Sequence, residues 1–240
     1  MLRYIKKVKQ PKSNGIRHWA LTIIFAISTL PLLAEPVVVP MSLMPGDRYR
    51  LVFVTSGTRN ATSTLISDYN AFVTAQANLS PLLLALNTTW RVIGSTLSVD
   101  AITNIGFSPA TAIYNTNGGL VAIGIPDLFD GTLSNPINWD QLGIGFMNRS
   151  VWTGSDQTGV SFRELGFGSL VTIGNSSFTD SRWMFNNFNP QFSANSFYAI
   201  SDELIVSDVP EPGTLTMLGA GATLLWLLKK RRSATPDNRS

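Results

Sequence analysis

The first extended segment of the chain reads Tyr49-Arg50-Leu51-Val52-Phe53-Val54-Thr55-Ser56. It is dominated by β-branched and aromatic residues, which is typical of a strand. Apolar residues at helical spacing then follow Ser67, a good capping residue, and predict a helix over 67–77. A second apolar helix is predicted over 79–86, since Pro81 suits the first turn of a helix.

Beyond these two helices the sequence predicts short strands in long, loop-rich connections. The predicted strands occupy 89–95, 112–115, 120–122, 150–154, 197–201 and 203–206, with one helical turn at 98–101 and a hairpin-type turn at 117–119. Two early helices followed by short antiparallel strands form an α+β pattern. We expect the first and last strands to pair near one edge of the sheet.

The order of these elements resembles surface domains of the C-type-lectin-like and endostatin-like fold. The resemblance rests on short motifs at 52–56, 90–95, 99–101, 113–114, 127–133, 151–154, 182–183 and 197–200. It implies an early strand that leads to two helices, and a small second sheet that carries a Trp and Gly segment like 151–154. The chain departs from the family because it has no cysteine and no Glu-Pro-Asn or Trp-Asn-Asp sequence, so lectin activity is not implied.

The N-terminus has the composition of a secretory signal. Six cations precede an apolar stretch over 19–34: Arg3, Lys6, Lys7, Lys9, Lys12 and Arg17. The stretch has signal length rather than membrane-spanning length. We therefore predict a signal helix over 1–34 that the Sec machinery delivers and that is cut after Ala34. An uncleaved signal anchor is the alternative.

The C-terminus combines three features of a sorting tag. A helix-breaking segment, Pro210-Glu211-Pro212, precedes an apolar run over 214–228 and a stop-transfer cluster, Lys229-Lys230-Arg231-Arg232. The run spans roughly 23 Å as a helix, which is short against the ~30 Å core of a bilayer. We predict a provisional transmembrane anchor; a permanent tail anchor and a buried terminal helix are the alternatives.

This ending resembles the PEP-CTERM signal of exported bacterial proteins, over 210–232. The resemblance implies that an exosortase cuts near the Pro-Glu-Pro motif after transient anchoring in the inner membrane, and releases the protein toward the cell surface or an extracellular matrix. Residues 233–240 extend past the basic cluster as a cytoplasmic tail. The exported domain is then 35–209.

The charge of the whole chain is misleading for the exported domain. The chain carries a net charge of +3, but the 35–228 stretch contains seven arginines, no lysine and 14 acidic residues, a net charge of −7. No basic patch remains between the two termini. Nucleic acid is therefore not expected as a partner.

Composition removes several kinds of catalytic site from the exported domain. There is no cysteine, and the single histidine, His18, lies in the predicted signal peptide. A thiol nucleophile, a hydrolase triad and a His or Cys zinc site are thereby excluded, and no cofactor is expected. Glycosidase chemistry needs only two carboxylates, for which Glu164, Asp202 and Glu203 are the candidates. Asp202 and Glu203 would point to opposite sides of a strand, so we expect no enzyme.

Five aspartates lie in predicted loops, where calcium ligands often occur: Asp127, Asp130, Asp140, Asp156 and Asp180. They lack EF-hand spacing, and we interpret them as turn formers and helix caps. We predict no metal site; one calcium ion that joins Asp127 or Asp130 to a distant loop is the alternative.

Aromatic and amide residues are mixed over 185–192, a segment too polar for a core strand. We predict an exposed loop in which Phe185, Asn187 and Phe188, together with Trp183, are candidate ligand contacts, because rings cover apolar sugar faces and amides satisfy hydroxyls. Aromatics that fold back onto the domain are the alternative, which is slightly favoured. Trp90, Trp152 and Trp183 are each expected in the core before they are expected at a ligand.

These features predict a non-enzymatic exported protein of a Gram-negative bacterium. We expect it to act by binding or assembly at the cell surface or in a biofilm matrix, with extracellular polysaccharide as its partner. The alternatives are a carbohydrate-binding lectin-like module, a weak glycosidase and a permanent membrane protein.

Overall fold

The computed structural model describes residues 36–207, and this part of the chain folds around one mixed sheet. Its nine strands are β1 (Arg48–Val54), β2 (Trp90–Val92), β3 (Ala112–Asn115), β4 (Leu120–Ile123), β5 (Ser150–Trp152), β6 (Leu170–Asn175), β7 (Asn187–Pro190), β8 (Ser196–Ser201) and β9 (Leu204–Ile205). Its four helices are α1 (Ile66–Ala77), α2 (Pro81–Ala85), α3 (Ala101–Asn104) and α4 (Gly124–Leu128). The predicted α+β class is confirmed.

The strand order of the sheet is β4-β3-β1-β8-β5-β6-β7. Strand β8 also pairs with β2, and β9 pairs with β1. The first and last strands, β1 and β9, therefore do pair. The predicted position near an edge was wrong, because β1 lies beside β8 in the middle of the sheet. Both are buried over nearly their whole length, as central strands with two covered faces are.

The prediction of antiparallel strands was also wrong in part. Strand β1 runs parallel to β3, with Tyr49 opposite Ala112, and β5 runs parallel to β8, with Val151 opposite Ser196. The remaining ladders are antiparallel. A parallel pair needs a long crossover, and the segment between β1 and β3 supplies it with α1, α2 and α3.

The core lies on both faces of the sheet because successive side chains of a strand point to opposite sides. Leu51 and Phe53 of β1 pack with Tyr69 and Val73 of α1 on one face. Val52 and Val54 belong to a second cluster, which includes residues of α3 and α4. Trp90 and Trp152 are in the first cluster and Trp183 is in the second, so the expectation that all three fill the core is confirmed.

Most predicted elements are found within a few residues of their expected positions. Ser80 caps α2, with its Oγ accepting from the N–H of Leu83 at 3.4 Å. Ser67 does not cap α1, because that helix begins at Ile66 after Leu65. The helical turn predicted at 98–101 starts later, as α3, with Asp100 before it. Sequence analysis missed α4 and β6.

Candidate functional site

The predicted sorting residues lie outside the described part of the chain. These residues are Ala34, Pro210, Glu211, Pro212, Lys229, Lys230, Arg231 and Arg232. The predicted signal segment 1–34, the apolar run 214–228 and the tail 233–240 also lie outside the described residues. Within residues 36–207 no helix has both the length and the apolar character that crossing a membrane requires.

The backbone hydrogen bonds of the described domain end just before the sorting segment. The Val206 N–H donates to the Asp47 carbonyl at 2.9 Å, and the Gly46 N–H donates to the Val206 carbonyl at 2.9 Å. Only three residues separate Val206 from Pro210 in the sequence. All nine described strands therefore precede the predicted cleavage segment, and a cut there removes none of them.

The predicted ligand segment is not a loop but the edge strand β7, with the short turn before it. β7 pairs with β6 in an antiparallel ladder that places Phe188 opposite Thr172. Its side chains are exposed or half-buried, which explains why the sequence looked too polar for a strand. A strand at the rim of a sheet has only one neighbour, so it tolerates amides that a central strand would exclude.

Two of the predicted contact residues belong to a cluster of three phenylalanines on the surface. The ring centroids of Phe185 and Phe188 lie 5.7 Å apart, and Phe162 lies 5.5 Å from Phe185 and 6.1 Å from Phe188. Phe185 and Phe188 are half-buried, whereas Phe162 is 42% exposed. We call these three residues and Arg163 the aromatic cluster.

Arg163 completes the aromatic cluster. Its guanidinium carbon lies 4.5 Å from the ring centroid of Phe188, a cation–π contact. Sequence analysis missed both Phe162 and Arg163. They lie more than twenty residues before Phe185 in the chain, and no local pattern joins the two segments.

The prediction of Trp183 as a ligand contact was wrong. Its ring is fully buried between Phe129, at 6.1 Å, and Tyr198, at 5.5 Å between ring centroids. A short 3₁₀ turn over Ser181–Trp183 directs it inward, and Asp180 caps that turn through the Arg182 N–H. Asn187 is exposed and lies beside the cluster, but its Oδ1 accepts from the N–H of Phe188 at 2.9 Å.

Of the three carboxylates considered for glycosidase chemistry, Asp202 and Glu203 are engaged in ion pairs, and Glu164 forms none within residues 36–207. Asp202 pairs with Arg91 at 3.2 Å, and Glu203 pairs with Arg48 and accepts from the Thr111 hydroxyl at 2.7 Å. The Thr111 hydroxyl and then Arg48 lower the pKa of Glu203. A lowered pKa keeps this carboxyl ionised at neutral pH, which is unsuited to a general acid.

The five aspartates that were predicted in loops hold local turns or helix ends, and one of them, Asp127, lies in α4 rather than in a loop. Asp127 and Asp130 accept from the N–H groups of Ile123 and Thr132, at 2.6 and 2.8 Å. Asp140 and Asp156 each accept from the backbone N–H groups of the residues two and four positions later in the chain. The carboxylate of Asp180 binds Arg182, whose hydrogen bonds lower the pKa of Asp180 to about 2. Their interpretation as turn formers and caps is confirmed.

No group of three or more His, Cys, Asp or Glu side chains converges within residues 36–207 in a way that could hold a metal ion. Two pockets within residues 36–207 lie away from the aromatic cluster. One, of about 440 Å³, lies between the ends of α2 and β9, and the other, of about 160 Å³, is lined by Arg50 and Ser108. Neither pocket is lined by a residue of the aromatic cluster.

Comparison with known protein families finds a similarity just beyond the described residues. Residues 208–232 match the PEP-CTERM protein-sorting motif. The sorting signal read from the sequence is thus confirmed, and it implies an exported protein that transits a membrane and has an exosortase as its processing partner. No curated protein matches the chain. The motif match does not extend into the described residues, so the resemblance to C-type-lectin-like domains stays a prediction.

Proposed function

We propose that this protein is deposited at the cell surface or in the extracellular matrix of a Gram-negative bacterium, where it binds exopolysaccharide. In this scheme the Sec machinery delivers the chain, a signal peptidase cuts after Ala34, and the apolar run holds it briefly in the inner membrane. An exosortase then cuts near Pro210-Glu211-Pro212. The observation that carries this proposal is the sorting motif at residues 208–232.

The ends of the fold agree with processing at both termini. The first described backbone hydrogen bond runs from the Val37 N–H to the Thr116 carbonyl at 2.7 Å, three residues after Ala34. The last involves Val206, four residues before Pro210. Both proposed cuts therefore fall outside the hydrogen-bonded body of the domain, which would keep its sheet intact after release.

Binding is favoured over catalysis by the chemistry of the described residues. Asp202 and Glu203 are held by arginines, and the stretch has neither histidine nor cysteine. One surface group open to a ligand is the aromatic cluster, which offers a ring, a cation and neighbouring amides. A weak glycosidase is the less favoured candidate. If binding is the function, alanine substitution of Asp202 and Glu203 has no effect on the activity of the protein.

We further propose that the domain has the C-type-lectin-like fold. Strand β1 leads directly to two helices, and β5, which carries Trp152, pairs with β6 in the part of the sheet next to β7. The pairing of β1 with β8 and β9 also brings both ends of the domain together. The early strand and its two helices agree with the arrangement that the resemblance implies. The expected second sheet is not separate, because β5 pairs with β8 and joins β6 and β7 to the main sheet.

The proposal is tested by the intact mass and location of the protein in producer cells with and without their exosortase. We expect the parent chain to lose the segment after the Pro-Glu-Pro motif and to leave the inner membrane. The double variant Pro210→Ala and Glu211→Ala should keep the C-terminal segment, and therefore its mass, and should stay in the membrane fraction. Release and loss of the tail in cells that lack the exosortase would contradict the proposal.

A further inference from the structure

The side chain of Arg163 differs from those of the other arginines of residues 36–207 in its hydrogen-bond partners. Three of the others form ion pairs and three donate to backbone carbonyls: Arg48, Arg91 and Arg182 in the first group, Arg50, Arg59 and Arg149 in the second. Within this part of the chain the Arg163 guanidinium has no hydrogen-bond acceptor and only stacks on Phe188. Because Arg163 is exposed, its N–H donors are open to solvent or to a ligand.

The backbone at Arg163 is held in a conformation that is unfavourable for arginine. Its φ is +46°, in the left-handed region that costs non-glycine residues roughly 1 kcal/mol or more. The Thr172 N–H donates to the Arg163 carbonyl at 3.0 Å, and the Thr172 hydroxyl donates to the Phe162 carbonyl. The Phe162 N–H in turn donates to the Gly154 carbonyl at 2.9 Å, so the segment is fixed on both sides.

This conformation has a structural consequence for the two side chains. Consecutive residues of an extended chain point to opposite sides. Here Phe162 and Arg163 both contact Phe188, at 6.1 Å between ring centroids and 4.5 Å from guanidinium to ring. The left-handed turn therefore places an exposed aromatic ring and an unpaired cation side by side on a rigid support.

A ring next to an arginine matches the chemistry of a carboxylated sugar. The apolar C–H face of a pyranose packs on an exposed ring, and a guanidinium binds a carboxylate through two parallel hydrogen bonds. Stacking on Phe188 fixes the plane of the guanidinium and leaves its edge available. We propose that the aromatic cluster binds the uronate units of an acidic polysaccharide, an inference that rests on the proposed exopolysaccharide-binding function.

Overall charge does not supply this attraction. Residues 36–207 carry 11 acidic residues against seven arginines, so the domain as a whole repels a polyanion. Binding of an acidic polymer must then come from a local site. The same repulsion makes the experiment selective, because non-specific adsorption of a polyanion is disfavoured.

The test measures binding of the full-length chain, purified in detergent micelles, to polygalacturonate, dextran and dextran sulfate by affinity electrophoresis at 0.15 M salt. Arg163→Asn is the decisive variant, because asparagine tolerates positive φ but has no charge. We expect polygalacturonate to bind more tightly than either other polymer. We expect Arg163→Asn to weaken that binding by about tenfold, the size of one charge-assisted pair, without a fall in melting temperature.

Two further variants complete the design. Arg48→Gln removes the same charge from another exposed site and should leave binding unchanged, whereas Phe162→Ser should weaken binding to polygalacturonate. Three results would overturn the proposal: equal binding by Arg163→Asn and the parent, equal binding of dextran or dextran sulfate, or a protein dimer that Arg163→Asn dissociates. Since the assay does not depend on export, it separates this inference from failure of the processing scheme.

Discussion

Gly174 of β6 lies directly against the carbonyl oxygen of Trp183. A Cβ atom at position 174 would stand 1.8 Å from that oxygen and 2.6 Å from the carbonyl carbon. The same oxygen accepts from the hydroxyl of Tyr198 at 3.1 Å. The contact joins the sheet to the 3₁₀ turn that directs Trp183 into the core, and it sets up the turn into β7.

Gly174→Ala should therefore destabilise the domain strongly. The atom in the way is backbone, so the 181–184 turn must move as a unit, and we expect a loss of about 3 kcal/mol, the upper end for overpacking a core. Thermal or denaturant unfolding measures it. Gly145→Ala is the matched control, because its nearest neighbours are ring atoms of the Trp139 side chain at 3.3 Å. Equal stability of the two variants would contradict the contact.

Tyr198→Phe should cost about 1–2 kcal/mol of unfolding free energy. The lost hydroxyl leaves the Trp183 carbonyl without this donor in a fully buried place, where an unmet hydrogen bond is expensive. Tyr49→Phe removes a hydroxyl that donates to the Val38 carbonyl at 2.7 Å nearer the surface, and should cost less. A larger loss for Tyr49→Phe would show that the buried bond is not the stronger one.

Stability should be flat from about pH 5 to 9 and fall above pH 10. Residues 36–207 contain no histidine, cysteine or lysine that would titrate in the neutral range. Burial raises the pKa of Tyr69 to about 12. A raised pKa contributes stability that is present below the ordinary tyrosine pKa near 10 and is lost as the pH rises toward 12.

The melting temperature of the parent and of Tyr69→Phe, recorded across this range, tests the assignment. Tyr69→Phe loses the hydrogen bond to the Ser63 carbonyl at 2.7 Å and should melt lower at neutral pH. Its melting temperature should also decline less between pH 10 and 12. A decline as steep as that of the parent would assign the alkaline transition to other groups.

Asn187→Ala should make the domain prone to association along β7. Thr172, opposite Phe188, directs its own N–H to the Arg163 carbonyl, so the Phe188 N–H faces the open side of the strand and is bound by Asn187. Pro190, the other outward residue, has no N–H. Both donors of this edge are thus blocked, which is how natural sheets prevent strand addition.

Light scattering during mild heating would detect the association. Asn187→Asp keeps an acceptor for the Phe188 N–H and serves as the control. Asn187→Ala combined with Pro190→Thr should associate fastest, since it frees one donor and adds another. Identical scattering by the parent and the double variant would mean that the edge is protected by something other than these two residues.

Local periodicity was enough to locate β1, α1, α2, β3 and β8 to within a few residues, because the signals for a helix or a strand lie within the segment itself. The sorting motif at 208–232 could be predicted equally well, because its cleavage segment, apolar run and cations are contiguous in the sequence. Segment 170–175 contains three consecutive β-branched residues, Val171, Thr172 and Ile173, and could also have been predicted as a strand from its sequence.

Pairing between distant segments was decided only in the tertiary structure. The parallel register of β1 and β3 joins residues more than sixty positions apart, and no local pattern encodes it. The same holds for the aromatic cluster, where the left-handed backbone of Arg163 brings Phe162 and the cation to Phe188 across the β6–β7 ladder. Sequence alone determined the types of most elements, the acidic character of the exported domain and the export signal of this protein. The partners of each strand and the composition of the exposed surface follow from long-range packing, in which burial against residues far along the chain outweighs local preference.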